Sequence, residues 1–324
     1  LSRFFHLLIN EHMKLYIRKS TWIMYGLLAI IIVGLGLLSN TFTNDVEYDD
    51  NWRETLQEEN EQLIKENEEF QENMANGDAE IYAGPNSHLI EKNNYYLEND
   101  IQPTPYDAWQ FVMENEMLLS IVSLLTIIIA AGIVAHEFKW GTIKLLLIRP
   151  ITRAKILLSK YVTVLLFAFY TLCFVLIFSW IVGALFFGVA GMSPHIVINQ
   201  NGDFAQVSVL SEIMSGYGYK LINLVMMATF AFMISTIFRN STIAIGLAIF
   251  LMMAGNSIVT FFADRAWAKY ILFANTDLSQ YADGNSPWID DMTLQFSISV
   301  LVVYYIIFLA LSWLFFTKRD VAGQ

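Results

Sequence analysis

The chain has little with which to build covalently braced or metal-held structure. Its single cysteine, Cys173, falls inside an apolar run, which excludes a disulfide framework and a cysteine-rich metal site. A lone thiol among Leu and Phe reads as inert packing. Charge is scarce too: 15% of the 324 residues are charged, against about a quarter in a soluble domain. No glycine loop ending in Lys-Ser or Lys-Thr occurs, so the chain has no P-loop for nucleotide phosphates. His136–Glu137 opens like a zinc-protease helix, but Trp140 stands where the second histidine is needed. Glu58–Glu59 is not followed by the Arg and membrane His of an intramembrane protease, and no EF-hand pattern is present. These absences leave no catalytic set, metal site or cofactor site to expect in this chain.

What the sequence does have is apolar length. Hydrophobic residues make up 56% of it, and a helix needs about 20 of them in a row to cross a hydrocarbon core. Six stretches qualify, at 21–42, 117–135, 161–189, 219–238, 242–262 and 294–316. Trp22, Trp140, Trp180, Trp288 and Trp313 fall near their ends, as in an aromatic belt. The expected fold is an all-α polytopic membrane protein with both termini on one side. The middles of these stretches lack ionisable side chains, which carriers driven by protons or sodium usually retain as coupling sites. Any energy for transport is therefore expected from outside the chain.

The net charge of −11 hides an asymmetry. If the termini are cytoplasmic, the inner segments hold Arg3, Lys14, Arg18, Lys19, Lys139, Lys144, Arg149, Arg153, Lys155, Lys160, Arg239, Lys318 and Arg319. Only Glu11, Glu137 and Asp320 among the 30 acids join them. The positive-inside rule selects that orientation. Residues 1–20 read as a cytoplasmic interfacial helix, with Arg3, His6, Asn10, Lys14 and Arg18 on one face and Phe4, Phe5, Leu8, Leu15 and Tyr16 on the other. A positive flank for insertion is the plainer reading of the same residues, and the two are compatible.

Residues 43–116, after the first span (21–42), form a separate acidic extracellular domain. Between 44 and 116 stand 20 acids against Arg53, Lys65 and Lys92. Trp52, Leu56, Leu63, Phe70 and Met74 trace a narrow seam, with 56–63–70 at heptad spacing. Gly77 and Gly84–Pro85 break this helix, and a second short helix follows, so a helical hairpin is expected. Asp107 with Gln110 has the form of a capping box. The acids either solvate a helix face or act as a funnel for cationic ligands. Residues 117–324 carry the remaining spans, a cytoplasmic segment at 136–160 and an extracellular re-entrant region at 263–293. There "RAWAKYILFA" is apolar but too short to cross.

The segment "HEFKWGTIKLLLIRPITRAKILLSK" (136–160) reads as a short helix, a corner at Pro150, a cap at Thr152 and a return helix into the third span. Its Glu137, Gly141–Thr142, Leu145–Leu146, Pro150–Ile151, Thr152–Arg153 and Ser159–Lys160 resemble the signature of the ABC-2 permease family, the membrane subunits of type V ABC exporters. Phe230–Asn256 is similar to the tight cytoplasmic turn between that family's fourth and fifth spans, here at Arg239 and Asn240. The resemblance covers nearly the whole chain outside 44–116. The long acidic insert departs from the smallest members.

The resemblance implies an exporter permease of the bacterial cell membrane. Its partners would be an ABC ATPase subunit that binds ATP and Mg, a second identical or different permease subunit, and the lipid bilayer, with no nucleic acid. Glu137, Gly141, Thr142, Arg149, Pro150, Arg153 and Lys155 become ATPase-coupling residues, with Gly141 allowing close approach of the partner. Phe- and Met-rich spans behind an acidic vestibule suggest amphipathic or cationic peptides and antimicrobial compounds as cargo. The alternative is a sensor or immunity protein whose outer domain binds a peptide antibiotic.

Overall fold

The computed structural model describes residues 2–42, 48–74, 84–142, 151–191, 194–200, 203–282, 285–289 and 291–318. The helices are α1 (Ser2–Tyr16), α2 (Lys19–Phe42), α3 (Trp52–Met74), α4 (Ser87–Glu98), α5 (Ala108–Glu114), α6 (Leu119–Lys139), α7 (Arg153–Phe187), α8 (Val209–Phe238), α9 (Ser241–Phe262), α10 (Leu272–Thr276) and α11 (Leu294–Lys318). A 3-10 turn over Asn115–Leu118 joins α5 to α6, so the two run on as one apolar rod. With that rod counted once, six helices are long and apolar enough to cross a membrane.

Burial sorts the six. In the most apolar stretches of the α5–α6 rod and of α8, 72% and 67% of residues are buried, whereas α2, α9 and α11 bury only 22%, 22% and 17%. The rod and α8 form the centre, and the outer three present Leu, Ile and Phe outward. An exposed apolar surface of that extent needs lipid or another apolar surface against it. Polar side chains lock the centre by bonding backbone across helices, since a buried hydroxyl needs a partner. Ser235 Oγ donates to the Ala131 carbonyl at 2.6 Å and accepts from the Ala135 N–H at 3.2 Å. Tyr161 on α7 links Thr229 on α8 (2.7 Å) to Tyr305 on α11 (3.0 Å).

The spans α7 and α8 start about two and three turns before the sequence patterning indicates. The extra turns of α7 include Lys160, and Lys220 stands just inside the expected start of α8; both are charged yet lie inside the helices. Each is neutralised by a carboxylate, Lys220 by Asp277 at 3.5 Å and Lys160 by the cluster described below. The rod's start is set by Asp107, whose carboxylate accepts from the N–H groups of Trp109 (3.0 Å) and Gln110 (3.1 Å). Only this half of the expected capping box forms, because the Gln110 amide turns to the Pro105 carbonyl instead. Close packing behind it needs Gly183 on α7: a Cβ there would lie 2.9 Å from the Ala108 Cα.

In the insert after α2, the helices α3 and α4 pack against each other, and residues 75–83 between them lie outside the described residues. Their seam is mixed rather than apolar. Leu56 is buried and Phe70 exposed, while the interleaved Asn60 and Asn67 are buried. Asn60 donates to Asn94 (2.9 Å), and Asn67 accepts from the Asn86 N–H (3.0 Å). One element departs from an all-helical architecture. Strands β1 (His195–Gln200) and β2 (Asp203–Ser208) pair antiparallel, with His195 opposite Ser208 and Gln200 opposite Asp203. This hairpin, from between α7 and α8, packs Val197 and Phe204 onto Trp52, Leu56 and Tyr96 of the insert. The domain around this small core is thus built from two separate stretches of chain.

No continuous helix forms over residues 265–274. A 3-10 turn (Ala268–Tyr270), an extended Ile271 and the short α10 replace it. Buried Asn275 fixes the break, donating to the Lys269 and Ile271 carbonyls and accepting from Ser297 on α11 at 2.7 Å.

Candidate functional site

The candidate site lies at the end of the bundle where the basic segments gather. The helix α1 carries three stripes rather than two faces. Leu7, Glu11 and Leu15 are buried, Phe5, Ile9 and Met13 are exposed, with Ile17 just past the helix end, and His6, Asn10 and Lys14 form a polar row. Spacing of four residues puts Glu11 on the same inward stripe as the two leucines. That carboxylate therefore enters the protein, where only a cation can offset its desolvation.

The cation is Lys160, two turns into α7, whose side chain is 1% exposed against 3% for Glu11. Its ammonium donates to Glu11 Oε2 at 2.6 Å and to Glu137 Oε1 at 3.1 Å. Lys14 donates to Glu11 Oε1 at 2.8 Å and to Glu137 Oε1 at 3.4 Å. Thr142 Oγ1 donates to the remaining oxygen, Glu137 Oε2. All four carboxylate oxygens are occupied, and two acids balance two cations. Burial works against the charge on Lys14, but bonds and attraction from Glu11 and Glu137 outweigh it and raise its pKa above the ordinary lysine value. One cluster thus joins α1, the end of α6 and the start of α7.

The other expected coupling residues fall around this cluster. Gly141 has φ +69° and ends α6. A Cβ there would meet nothing within 4 Å, so within this chain the glycine serves the left-handed turn rather than a close approach. Arg153 is half-buried and donates to the Thr317 carbonyl at 3.0 Å, closing the end of α11. Lys155 is exposed on the first turn of α7. Thr152 stands at the cap position of α7, but its side chain makes no capping bond. Arg149 and Pro150, with the corner they were expected to form, lie outside the described residues. The α8–α9 turn is as tight as expected. Arg239 is left-handed at φ 55°, and Asn240 Oδ1 accepts from the N–H groups of Thr242 (2.9 Å) and Ile243 (3.3 Å). The Arg239 guanidinium lies 4.3 Å over the Phe138 ring, which binds this turn to α6.

The structure therefore brings Glu137, Thr142, Arg153, Arg239 and Asn240 into one layer and turns Glu137 inward. It also adds Glu11, Lys14 and Lys160 to the site. A signal for Glu11 was present: an acid on the basic side of the chain, in step with Leu7 and Leu15. Among the described residues, no group of His, Cys, Asp and Glu is arranged to hold a metal.

Six long apolar helices, a polar-locked centre and an ion-paired layer where the basic segments gather define a polytopic helical membrane protein. A family profile described as "Protein of unknown function (DUF2705)" matches residues 81–322, and the chain belongs to that family. It is 41% identical over 322 residues to the "Uncharacterized protein YhcI" of Bacillus subtilis (strain 168), covering 98% of this chain and 99% of that relative. It is also 36% identical over 205 residues to the "Uncharacterized membrane protein YdbK" of the same strain, covering 62% of this chain and 78% of the relative.

Proposed function

We propose that this chain is the membrane-spanning permease subunit of an ATP-driven exporter of the ABC-2 type, in the bacterial cell membrane with its termini in the cytoplasm. ATP and Mg bind a separate ATPase subunit, and a second permease subunit completes the transport unit. The observation that carries this reading is the 3.1 Å ion pair between Glu137 and Lys160, the two ends of the segment that resembles the permease signature. Clamped at its base, that segment can pass a push from a docked ATPase to α6 and α7 together; a loop without such a clamp would absorb it. The Arg239–Asn240 turn, held against Phe138, moves with the same layer. Cationic or amphipathic peptides, including antimicrobial compounds, are the proposed cargo, drawn by the acids of α3.

The reading is tested by co-purification with an ATPase subunit and by the effect of Glu137→Ala on its stimulated ATP hydrolysis. Loss of stimulation is expected, with the ATPase still bound. No associated ATPase would refute the reading.

The outer domain has a small core of its own around Trp52, Leu56, Tyr96 and Val197, and this favours a second reading. In it the chain is a sensor or immunity protein that binds a peptide antibiotic outside. Peptide binding that survives loss of every transport phenotype would select it.

A further inference from the structure

The helix α9 starts at Ser241, next to the Arg239–Asn240 turn of the ion-paired layer, and ends at Phe262. Its 22 residues rise by about 1.5 Å each, which carries Phe262 about 32 Å from that layer. A hydrocarbon core is about 30 Å thick, so the residues after Phe262 leave it at the opposite boundary. They leave along a run of tight turns. The Arg265 N–H donates to the Phe262 carbonyl at 2.9 Å, the Ala268 N–H to that of Arg265 at 2.8 Å, and the Tyr270 N–H to that of Trp267 at 3.0 Å. The Tyr304 hydroxyl of α11 donates to the Tyr270 carbonyl at 3.0 Å, which ties the segment across from α9 to α11.

Two kinds of side chain meet on this segment. Phe261, Trp267 and Tyr270 are 80%, 52% and 55% exposed. Trp267 is braced by the Phe262 ring at 5.0 Å, and Tyr270 by that of Phe296 at 5.5 Å. Arg265 is exposed, and the Lys269 ammonium stands 5.9 Å from the Tyr270 ring and 5.7 Å from the Phe296 ring. Among the described residues neither cation pairs with a carboxylate, whereas Lys220, also near this end of the spans, is held by Asp277 at 3.5 Å. Arg265 and Lys269 against Asp264 leave residues 261–270 with one positive charge in surplus.

A surface that is aromatic and cationic at this depth has a defined chemical match. Indole and phenol rings favour the head-group region, where the apolar body meets acyl chains and the polar edge stays wet. Arginine and lysine reach phosphate oxygens there, arginine through paired N–H bonds. Acyl chains alone would leave both cations unmatched, and water alone would leave three large rings exposed.

We infer that residues 261–270 form a docking surface for anionic lipid head groups, with phosphodiesters on Arg265 and Lys269 and the rings of Phe261, Trp267 and Tyr270 seated beside them. The contact anchors the start of the broken segment that Asn275 locks further along the chain. The inference needs only that the chain spans a membrane, and it stands or falls independently of the export reading.

The test puts the photoreactive residue p-benzoylphenylalanine in place of Trp267 in the full chain. The protein is reconstituted in phosphatidylcholine vesicles with a minor share of phosphatidylglycerol, and the lipid adducts formed on illumination are weighed. Phosphatidylglycerol should be captured about fivefold above its share of the vesicle. The double variant Arg265→Gln/Lys269→Gln should return capture to that share, while Lys65→Gln, which removes an exposed cation of α3, should leave the enrichment intact. Capture in proportion to the share without those variants would overturn the docking surface. An equal loss of enrichment in Lys65→Gln would mean a diffuse field and overturn it as well. Adducts to protein alone, or none to lipid, would place the segment away from a head-group boundary and likewise refute the inference.

Discussion

Replacing Lys160 by Met keeps the length of the side chain and removes its charge. Lys160 is 1% exposed and bonds two carboxylates, at 2.6 and 3.1 Å. Without it, Glu11 and Glu137 share only Lys14, which is 40% exposed and partly served by solvent. One negative charge then stays buried without compensation, and removing one partner of such a pair costs about 3–5 kcal/mol. Glu11→Gln is milder, about 1.5–3 kcal/mol for a lost charge-assisted bond, because Glu137 still answers Lys160. The double variant Glu11→Gln/Lys160→Met leaves Lys14 facing Glu137 alone, a balanced pair. It should therefore cost less than Lys160→Met by itself. The expected coupling is about 2–3 kcal/mol, at the upper end for residues sharing one ionic network. Reversible unfolding in mixed micelles, followed by tryptophan fluorescence for parent, singles and double, measures it. Single costs that sum to the double within about 0.5 kcal/mol would refute the buried cluster.

Gly183→Ala should destabilise the bundle by about 1–3 kcal/mol, read as lower thermal stability in detergent, because the new methyl meets the Ala108 backbone rather than a side chain that can swing away. Asn240→Ala removes both capping bonds at the start of α9 and should cost about 1 kcal/mol in the same assay, with Asn240→Asp largely restoring it. His12, burial-shifted below its ordinary 6.5 and set between the Tyr16 and Tyr170 rings, makes the docking of α1 depend on pH. Docked His12 favours the neutral form, so stability is full above about 6.5 and is lost as pH falls through that value toward the lowered one. Hydrogen exchange of α1, corrected for intrinsic rate, should be faster at pH 5.5 than at pH 7.5, and His12→Gln should remove the difference.

The crossing helices are legible in the sequence because their signal is bulk apolarity over many turns. The start of α7 is less so, since Lys160 reads as a flanking charge until its partner Glu11, far away in the chain, is known. The β-hairpin carried a readable local signal. His195–Gln200 and Asp203–Ser208 flank Asn201–Gly202, a pair favoured in two-residue hairpin loops, and Ile196, Val197 and Ile198 are β-branched. It was hidden by proximity to long spans that dominate any composition-based reading. The Glu137 end of the candidate site was visible through its motif, but the motif alone suggested a residue facing outward. Its inward direction depends on Glu11 and Lys14, which come from a helix more than 120 residues earlier.

The tie between Glu11 and Lys160 spans 149 residues of chain. While the protein is being synthesised, α1 emerges long before the lysine that will receive its carboxylate. Until Lys160 is made, that acid has only Lys14 of its own helix to pair with, and the buried seat of α1 is incomplete. An element made early thus takes its seat late, after α6 and α7 are beside each other. Its docking then marks the completion of this face of the bundle.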